Sequence, residues 1–218
     1  MNNLNILKKN KIKESLIFLD KMGFIYGSNF INYENGKKKS RFIKNWKYQT
    51  ESFYEEKCNS TYVLTGQLSN CFVIDIDDIN KIQSKTIFDF SINSCNLICK
   101  TNKGYHFYYK FDKDICDSKT FQQYGFDIRS NKGIIYCPPT YYFINDRLIE
   151  YNFIKKPHNY VLNEIDAYLK SYLLNLIFVK NYDHYFIENF GMKYATINQN
   201  FIYLILIIFL IIVIIIYK

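Results

Sequence analysis

The chain has 218 residues, with 28 Lys and Arg against 20 Asp and Glu, a net charge of +8 and a pI near 9.0. That length allows one domain with a substantial core plus appendages, and the positive balance favours an acidic partner, nucleic acid foremost. The six cysteines form no Cys-x-x-Cys pair and match no histidine spacing, which gives zinc little support. No Gly-x-x-x-x-Gly-Lys-Ser/Thr loop occurs either, so the chain carries no phosphate-loop motor. Alanine occurs only at Ala167 and Ala195 while Lys, Asn, Ile, Tyr and Phe dominate. Such usage fits AT-rich coding sequence, and part of the basicity and aromaticity reflects it.

In chain order, the polar start Met1-Asn-Asn-Leu-Asn has no signal-peptide pattern, so a reducing, intracellular setting is expected. Ile12, Leu16, Ile17 and Leu19 then recur at helical spacing, which predicts a helix over Lys9 to Met22 closed by Gly23. Residues 24 to 60 read as an irregular basic segment with short strands. Within it, Lys37, Lys38, Lys39, Arg41, Lys44 and Lys47 interleave with Phe42, Trp46 and Tyr48. That mixture suits phosphates and stacked bases, with a solvated basic loop as the plainer reading. Strands are predicted near 61–65, 71–77, 96–101, 105–111, 126–129 and 133–137, with helices around 79–90 and from Asn163 to Phe178. Strands outnumber helices without βαβ alternation, so the expected class is α+β, a mostly antiparallel sheet with flanking helices.

The segment Phe201 to Tyr217 is seventeen residues without a charge. A helix of that length reaches about 25 Å at 1.5 Å per residue, short of a core of roughly 30 Å. Local thinning, with Tyr203 and Tyr217 near the interfaces, makes a span workable. A C-terminal hydrophobic helix is therefore expected, tethering the rest of the chain on the cytosolic side. A product of gene truncation is the alternative. The expected organisation is an N-terminal helix and lead-in over 1–35, a catalytic domain over 36–175, a linker over 176–200 and the span over 201–217.

Chemistry concentrates in three segments. Cys71-Phe-Val-Ile-Asp-Ile-Asp-Asp78 is an apolar run that ends in carboxylates. Residues two apart in a strand share a face, so Asp75 and Asp77 point one way and Ile76 the other. Paired carboxylates repel unless cations lie between them, and oxygen-only ligands suit Mg²⁺ or Mn²⁺ with substrate phosphates. Leu97 to Phe111 reads as strand, turn and strand, with Gly104 permitting close backbone approach and His106 opening the second strand. Gly125 to Thr140 places Asp127 and Arg129 on one strand face and Phe126 and Ile128 on the other, then stops at Pro138-Pro139. Each residue also has a plainer reading: His106 as a satisfied core histidine, Arg129 as the salt-bridge partner of Asp127, and Asp78 as a helix cap.

The order Asp75-Ile-Asp77, Gly104-x-His106, then Asp127-Ile-Arg129 followed by Gly133 and Pro138-Pro-Thr140 resembles the primase-polymerase domain of the archaeo-eukaryotic primase superfamily. The nearest look-alikes are replication primases of large DNA viruses and plasmids. The likeness extends to Gly36-Lys37, Trp46 and Thr65-Gly66 upstream and to the Asn163 to Leu169 segment downstream. It departs from the family's usual pattern at Lys103, where a second glycine is common, at Thr140, where serine is common, and after Lys37, where a proline is missing.

The resemblance implies that Asp75, Asp77 and Asp127 bind the metals and that His106 contacts the incoming nucleotide, with Arg129, Lys103 and Thr140 assisting. Lys37, Lys38, Arg41 and Trp46 would hold nucleic acid. The implied activity is template-directed nucleotidyl transfer in DNA replication, with Mg²⁺ or Mn²⁺, nucleoside triphosphates, a single-stranded DNA template and a separate replicative helicase as partner. A catalytically inactive nucleic-acid-binding relic and a two-metal nuclease are the alternatives.

Overall fold

The computed structural model describes residues 2–34, 37–41 and 48–190. It opens with α1 (Asn2–Lys21), β1 (Tyr26–Glu34), β2 (Lys37–Arg41), β3 (Ser60–Leu64) and β4 (Cys71–Ile76). After α2 (Ile82–Ser94) come β5 (Leu97–Lys100), β6 (Tyr105–Lys110), β7 (Lys119–Phe121), β8 (Phe126–Arg129) and β9 (Ile134–Cys137). The short strands β10 (Tyr141–Ile144), β11 (Arg147–Glu150) and β12 (Asn152–Lys155) precede α3 (Ala167–Phe190). The chain divides into two compact units, Met1–Lys170 and Ser171–Lys218.

The class is α+β, with mostly antiparallel sheets and three α-helices among the described residues. A six-stranded sheet runs β12-β5-β6-β4-β8-β7, a four-stranded sheet runs β2-β1-β3-β9, and β10-β11 form a hairpin. Every pairing between named strands is antiparallel.

Both faces of the larger sheet are buried. Phe72, Ile74, Ile76, Phe107 and Ile128 point to the α2 side, where Phe88 packs its ring 5.0 Å from Tyr105 and 5.8 Å from Phe107. On the other face, Cys71, Val73, Leu97, Cys99 and Tyr108 join Val63, Ile135 and Cys137 of the smaller sheet, with Phe18 and Leu19 of α1. Continuous apolar runs such as Cys71-Phe-Val-Ile74 follow from burial on both sides. Residues 1–35 are thus more than a lead-in: α1 supplies core side chains and β1 is an inner strand.

Two helix boundaries move for local reasons. The Asp78 carboxylate accepts from Asn80 N at 3.0 Å, completing a turn before α2, so the helix covers Ile82–Ser94 instead of 79–90. Asp166, not Asn163, caps α3, its Oδ1 accepting from Tyr168 N at 2.8 Å and Leu169 N at 3.3 Å. The helix then continues to Phe190, so 176–190 is helical where a linker was expected. Among the described residues no helix is long and apolar enough to cross a membrane. The expected span 201–217 lies outside the described residues, as does Trp46.

Candidate functional site

Strand register gathers the chemistry. Asp75 lies mid-sheet on β4, directly opposite His106 of β6 on one side and Asp127 of β8 on the other. Directly opposed residues of antiparallel strands present their side chains on the same face. The row is therefore His106, Asp75, Asp127, drawn from three neighbouring strands, with Cys99 beyond His106 and Thr120 beyond Asp127. Farther along β4 the same face turns apolar at Val73 and Cys71. The acids thus stand at the end of the main core face, and Asp75 keeps only 14% of its side chain exposed.

Asp77 lies one residue beyond the end of β4, fixed by two glycines. Gly125 takes a positive φ of 79°, and its carbonyl accepts from Asp77 N at 3.0 Å and Asp78 N at 3.1 Å. On the opposite side Gly104 lies so close that a Cβ there would overlap the Ile76 carbonyl oxygen. The Gly104-x-His106 spacing thus does two tasks. The glycine lets the turn close on β4, and the histidine falls two residues on, opposite Asp75.

His106 Nε2 lies 3.2 Å from Asp75 Oδ1. Burial opposes ionisation of Asp75, yet the charge and hydrogen bond of His106, then Arg129 and Lys38, outweigh it and hold the carboxyl below the usual range. Asp77 shifts the other way: desolvation and then the Asp75 charge push it up, with Asp127 adding, against His106 and Lys103. Arg129 Nη2 bonds Asp127 Oδ2, while Asp127 Oδ1 accepts from Phe121 N at 3.2 Å. His106 itself is almost wholly buried, and its Nδ1 has no partner among the described residues. Its position makes it a holder of Asp75 more directly than a phosphate contact.

The basic run is divided by strand alternation. Lys37, Lys39 and Arg41 sit opposite Glu34, Asn32 and Phe30, on the exposed face of the β1–β2 ladder. Lys38 and Ser40 oppose Tyr33 and Ile31 on the other face, where Ile31 is buried. Although Lys38 as a whole residue retains exposed surface, its ammonium lies 3.8 Å from the Tyr136 ring centre, 5.6 Å from that of Tyr151 and 5.8 Å from that of Tyr142. Nζ also donates to Tyr151 Oη at 3.5 Å, and the Tyr151 ring lies 5.9 Å from that of His106. Desolvation in this cage lowers the ammonium pKa to about 8, against the pull of Asp75 and Asp77 and with Lys103 adding to the fall.

The expected site residues therefore separate into groups. Asp75, Asp127, His106 and Arg129 converge, Asp77 closes their row, and the charges of Lys38 and Lys103 reach it. Lys37 and Arg41 stand on the outer face. Thr140 does not join: its hydroxyl is buried, accepts from Thr61 N at 3.0 Å and donates to the Cys137 carbonyl at 2.7 Å, tying β3 to the end of β9. The tyrosine cage has no counterpart in the sequence reading. Three residues far apart in the chain, among 21 tyrosines, leave no spacing signal.

Oxygen-only donors suit Mg²⁺ or Mn²⁺ chemically, and the like-charge pressure on Asp77 is what a cation would relieve. Even so, among the described residues no three His, Cys, Asp or Glu side chains surround one cation position. Asp75 and Asp127 turn to His106 and Arg129 instead. The chain matches no protein-family model, and no curated protein matches it at a significant level.

Proposed function

We propose that the chain is a nucleotide-polymerising domain of the primase-polymerase kind, extending a nucleic-acid strand on a single-stranded DNA template. The observation that carries this reading is the row His106-Asp75-Asp127 with Asp77 at its end, two carboxylates opposed across one ladder and a third clamped beside them. The motif order adds the resemblance already described. In the reaction the 3′-hydroxyl oxygen bonds to the α-phosphorus, the bond to pyrophosphate breaks, and the hydroxyl proton passes to solvent. Asp75, Asp77 and Asp127 would hold Mg²⁺ or Mn²⁺, which supplies electrostatic stabilisation for the charge that develops on the phosphate oxygens.

The chain's own groups have distinct tasks in this reading. His106 keeps Asp75 ionised and oriented. Arg129, which holds Asp127 in the free protein, exchanges that carboxylate for a phosphate, as a forked guanidinium can do with either anion. Lys37, Lys39 and Arg41 offer cations to the template backbone beside Phe30, a large aromatic 41% exposed on the same face. A separate replicative helicase and a membrane tether through residues 201–217 belong to the same reading.

One observation favours a second reading, a nucleic-acid-binding relic. The carboxylates of Asp75 and Asp127 already have side-chain partners in His106 and Arg129, and no three-ligand cluster exists among the described residues. A nuclease would leave the cations around the acid row without a triphosphate to meet. Nucleotide incorporation on a single-stranded template with Mg²⁺ or Mn²⁺ decides between the first two. The polymerase reading expects incorporation that Asp77→Asn abolishes while single-strand binding persists. Binding without incorporation by the natural sequence would establish the relic.

A further inference from the structure

We propose that Lys38 is a polyphosphate-binding cation of the acid site, presented by a tyrosine cage, and is not part of the nucleic-acid face to which its neighbours in sequence belong. This rests on the nucleotide-using reading of the site. Four observations carry it. Strand alternation turns Lys38 away from Lys37, Lys39 and Arg41. Tyr136, Tyr142 and Tyr151 surround its ammonium within 5.8 Å of their ring centres, and the Tyr151 hydroxyl oxygen accepts a hydrogen bond from it. Through Tyr151 it adjoins His106, the partner of Asp75. The charges that act on it are Asp75, Asp77 and Lys103.

A cage of this kind orders a flexible lysine before a ligand arrives, so little side-chain entropy is lost on binding. Lys103 on the exposed β5–β6 turn is the second ammonium in the field. Two ammonium groups that disfavour one another beside carboxylates gain most from an anion of several charges. A triphosphate supplies that density, whereas each backbone phosphate of nucleic acid carries a single charge. The cage also disfavours the charged lysine while the site is empty, and a bound polyanion would reverse that penalty.

The test uses the full chain and two probes, inorganic tripolyphosphate and a single-stranded oligonucleotide without a 5′-triphosphate. Lys38→Met keeps the length of the side chain and its packing against the rings but removes the charge. Expected is a tenfold or greater loss of tripolyphosphate affinity with oligonucleotide affinity unchanged, and a melting temperature at least equal to that of the natural protein. Lys38→Arg should restore much of the binding. Affinity of the natural protein should fall as pH rises through about 8, where the ammonium loses its proton, while that of Lys38→Arg changes less over the same range. Equal tripolyphosphate binding by Lys38→Met, equal loss with both probes, or no tripolyphosphate binding by the natural protein would overturn the proposal. Lys38-dependent tripolyphosphate binding without nucleotide incorporation would leave it standing and remove the polymerase reading alone.

Discussion

Asp75 and Asp127 occupy directly opposite positions of the β4–β8 ladder, so their carboxylates rise side by side from one sheet face. Side chains so opposed have Cβ atoms only about 4.5–5.5 Å apart, and like charges at that spacing are unfavourable unless something positive joins them. In the free protein Arg129 supplies that charge beside Asp127, and His106 gives Asp75 a hydrogen-bond partner on the other flank. The arrangement is the kind a divalent cation can take over, since Arg129, the more exposed of the two partners, is able to turn to an anionic substrate while buried His106 keeps Asp75 in place.

Divalent cations should therefore stabilise the fold. Mg²⁺ or Mn²⁺ at about 100 times its dissociation constant adds roughly 2.7 kcal/mol, or about 5–10 °C in melting temperature for a domain of this size. Asp75→Asn and Asp127→Asn should each remove most of that shift. A natural protein whose melting curve ignores both ions would end the metal-site reading.

Asp77 makes a pH-dependent contribution with a definite sign. Its carboxyl is held above the ordinary value, so the folded state binds that proton more tightly than the unfolded state does. Stability then falls as pH rises from the ordinary carboxylate value through the raised one. Asp77→Asn should flatten this part of the profile and melt at pH 7 no lower than the natural protein in EDTA. Because Asp77 is exposed, the gain should be small, about 1–2 °C. Melts across pH 4–7 test it, and a variant clearly less stable at pH 7 would contradict the sign.

Gly104→Ala should cost about 1–3 kcal/mol, the usual penalty of overpacking, because the added Cβ overlaps the Ile76 carbonyl oxygen and presses on the Asp77 turn. Urea denaturation measures the loss. Incorporation should fall by more than the folded fraction does, since the displaced turn carries Asp77. Stability equal to the natural chain would show that the turn is not packed as described.

Template binding should map to the outer face. Replacing Lys37 and Arg41 together with Ala should reduce the slope of log affinity against log salt by about 1.4, at roughly 0.7 per phosphate contact on single strands. Phe30→Ala should weaken binding by about 1–3 kcal/mol if a base stacks there. An unchanged salt slope in the double variant would place the nucleic acid elsewhere.

The six cysteines predict a labelling pattern. Cys58, Cys71, Cys95, Cys99 and Cys137 are buried and Cys116 is half-exposed. Burial also pushes the Cys71, Cys95, Cys99 and Cys137 thiols up, away from the reactive thiolate. A thiol reagent on the native protein should titrate one group rapidly and the rest only after denaturation. Loss of the fast phase in Cys116→Ser confirms the assignment, and two or more fast thiols in the natural protein would refute it.

Much of the larger sheet was readable residue by residue. The expected strands at 71–77, 105–111 and 126–129 match β4, β6 and β8 to within a residue, because the apolar or aromatic runs of β4 and β6 and the strict alternation Phe126-Asp-Ile-Arg129 of β8 leave few alternatives. Strands β7, β10, β11 and β12 escaped notice. Each has only three or four residues, and such segments become strands through the partner beside them. Residues 24–60 read as an irregular segment with short strands whose positions stay open, for a related reason: β2 is Lys-Lys-Lys-Ser-Arg, which has no strand pattern of its own and forms against β1.

What the sequence determined by itself was the inventory and its local order: carboxylates two apart at a strand end, a glycine two before a histidine, and Asp127 on the face opposite Phe126. These follow from the two-residue period of a strand, a property of the backbone alone. Tertiary structure alone decided which strand lies beside which, and so that Asp75 has His106 on one side and Asp127 on the other. It also decided that Lys38 leaves its basic run to enter a cage of three tyrosines, while Thr140 is spent on tying β3 to β9. The reason is physical. Pairing register and burial are set by the cost of leaving apolar faces and backbone groups unsatisfied over the whole sheet, a cost that belongs to no single segment.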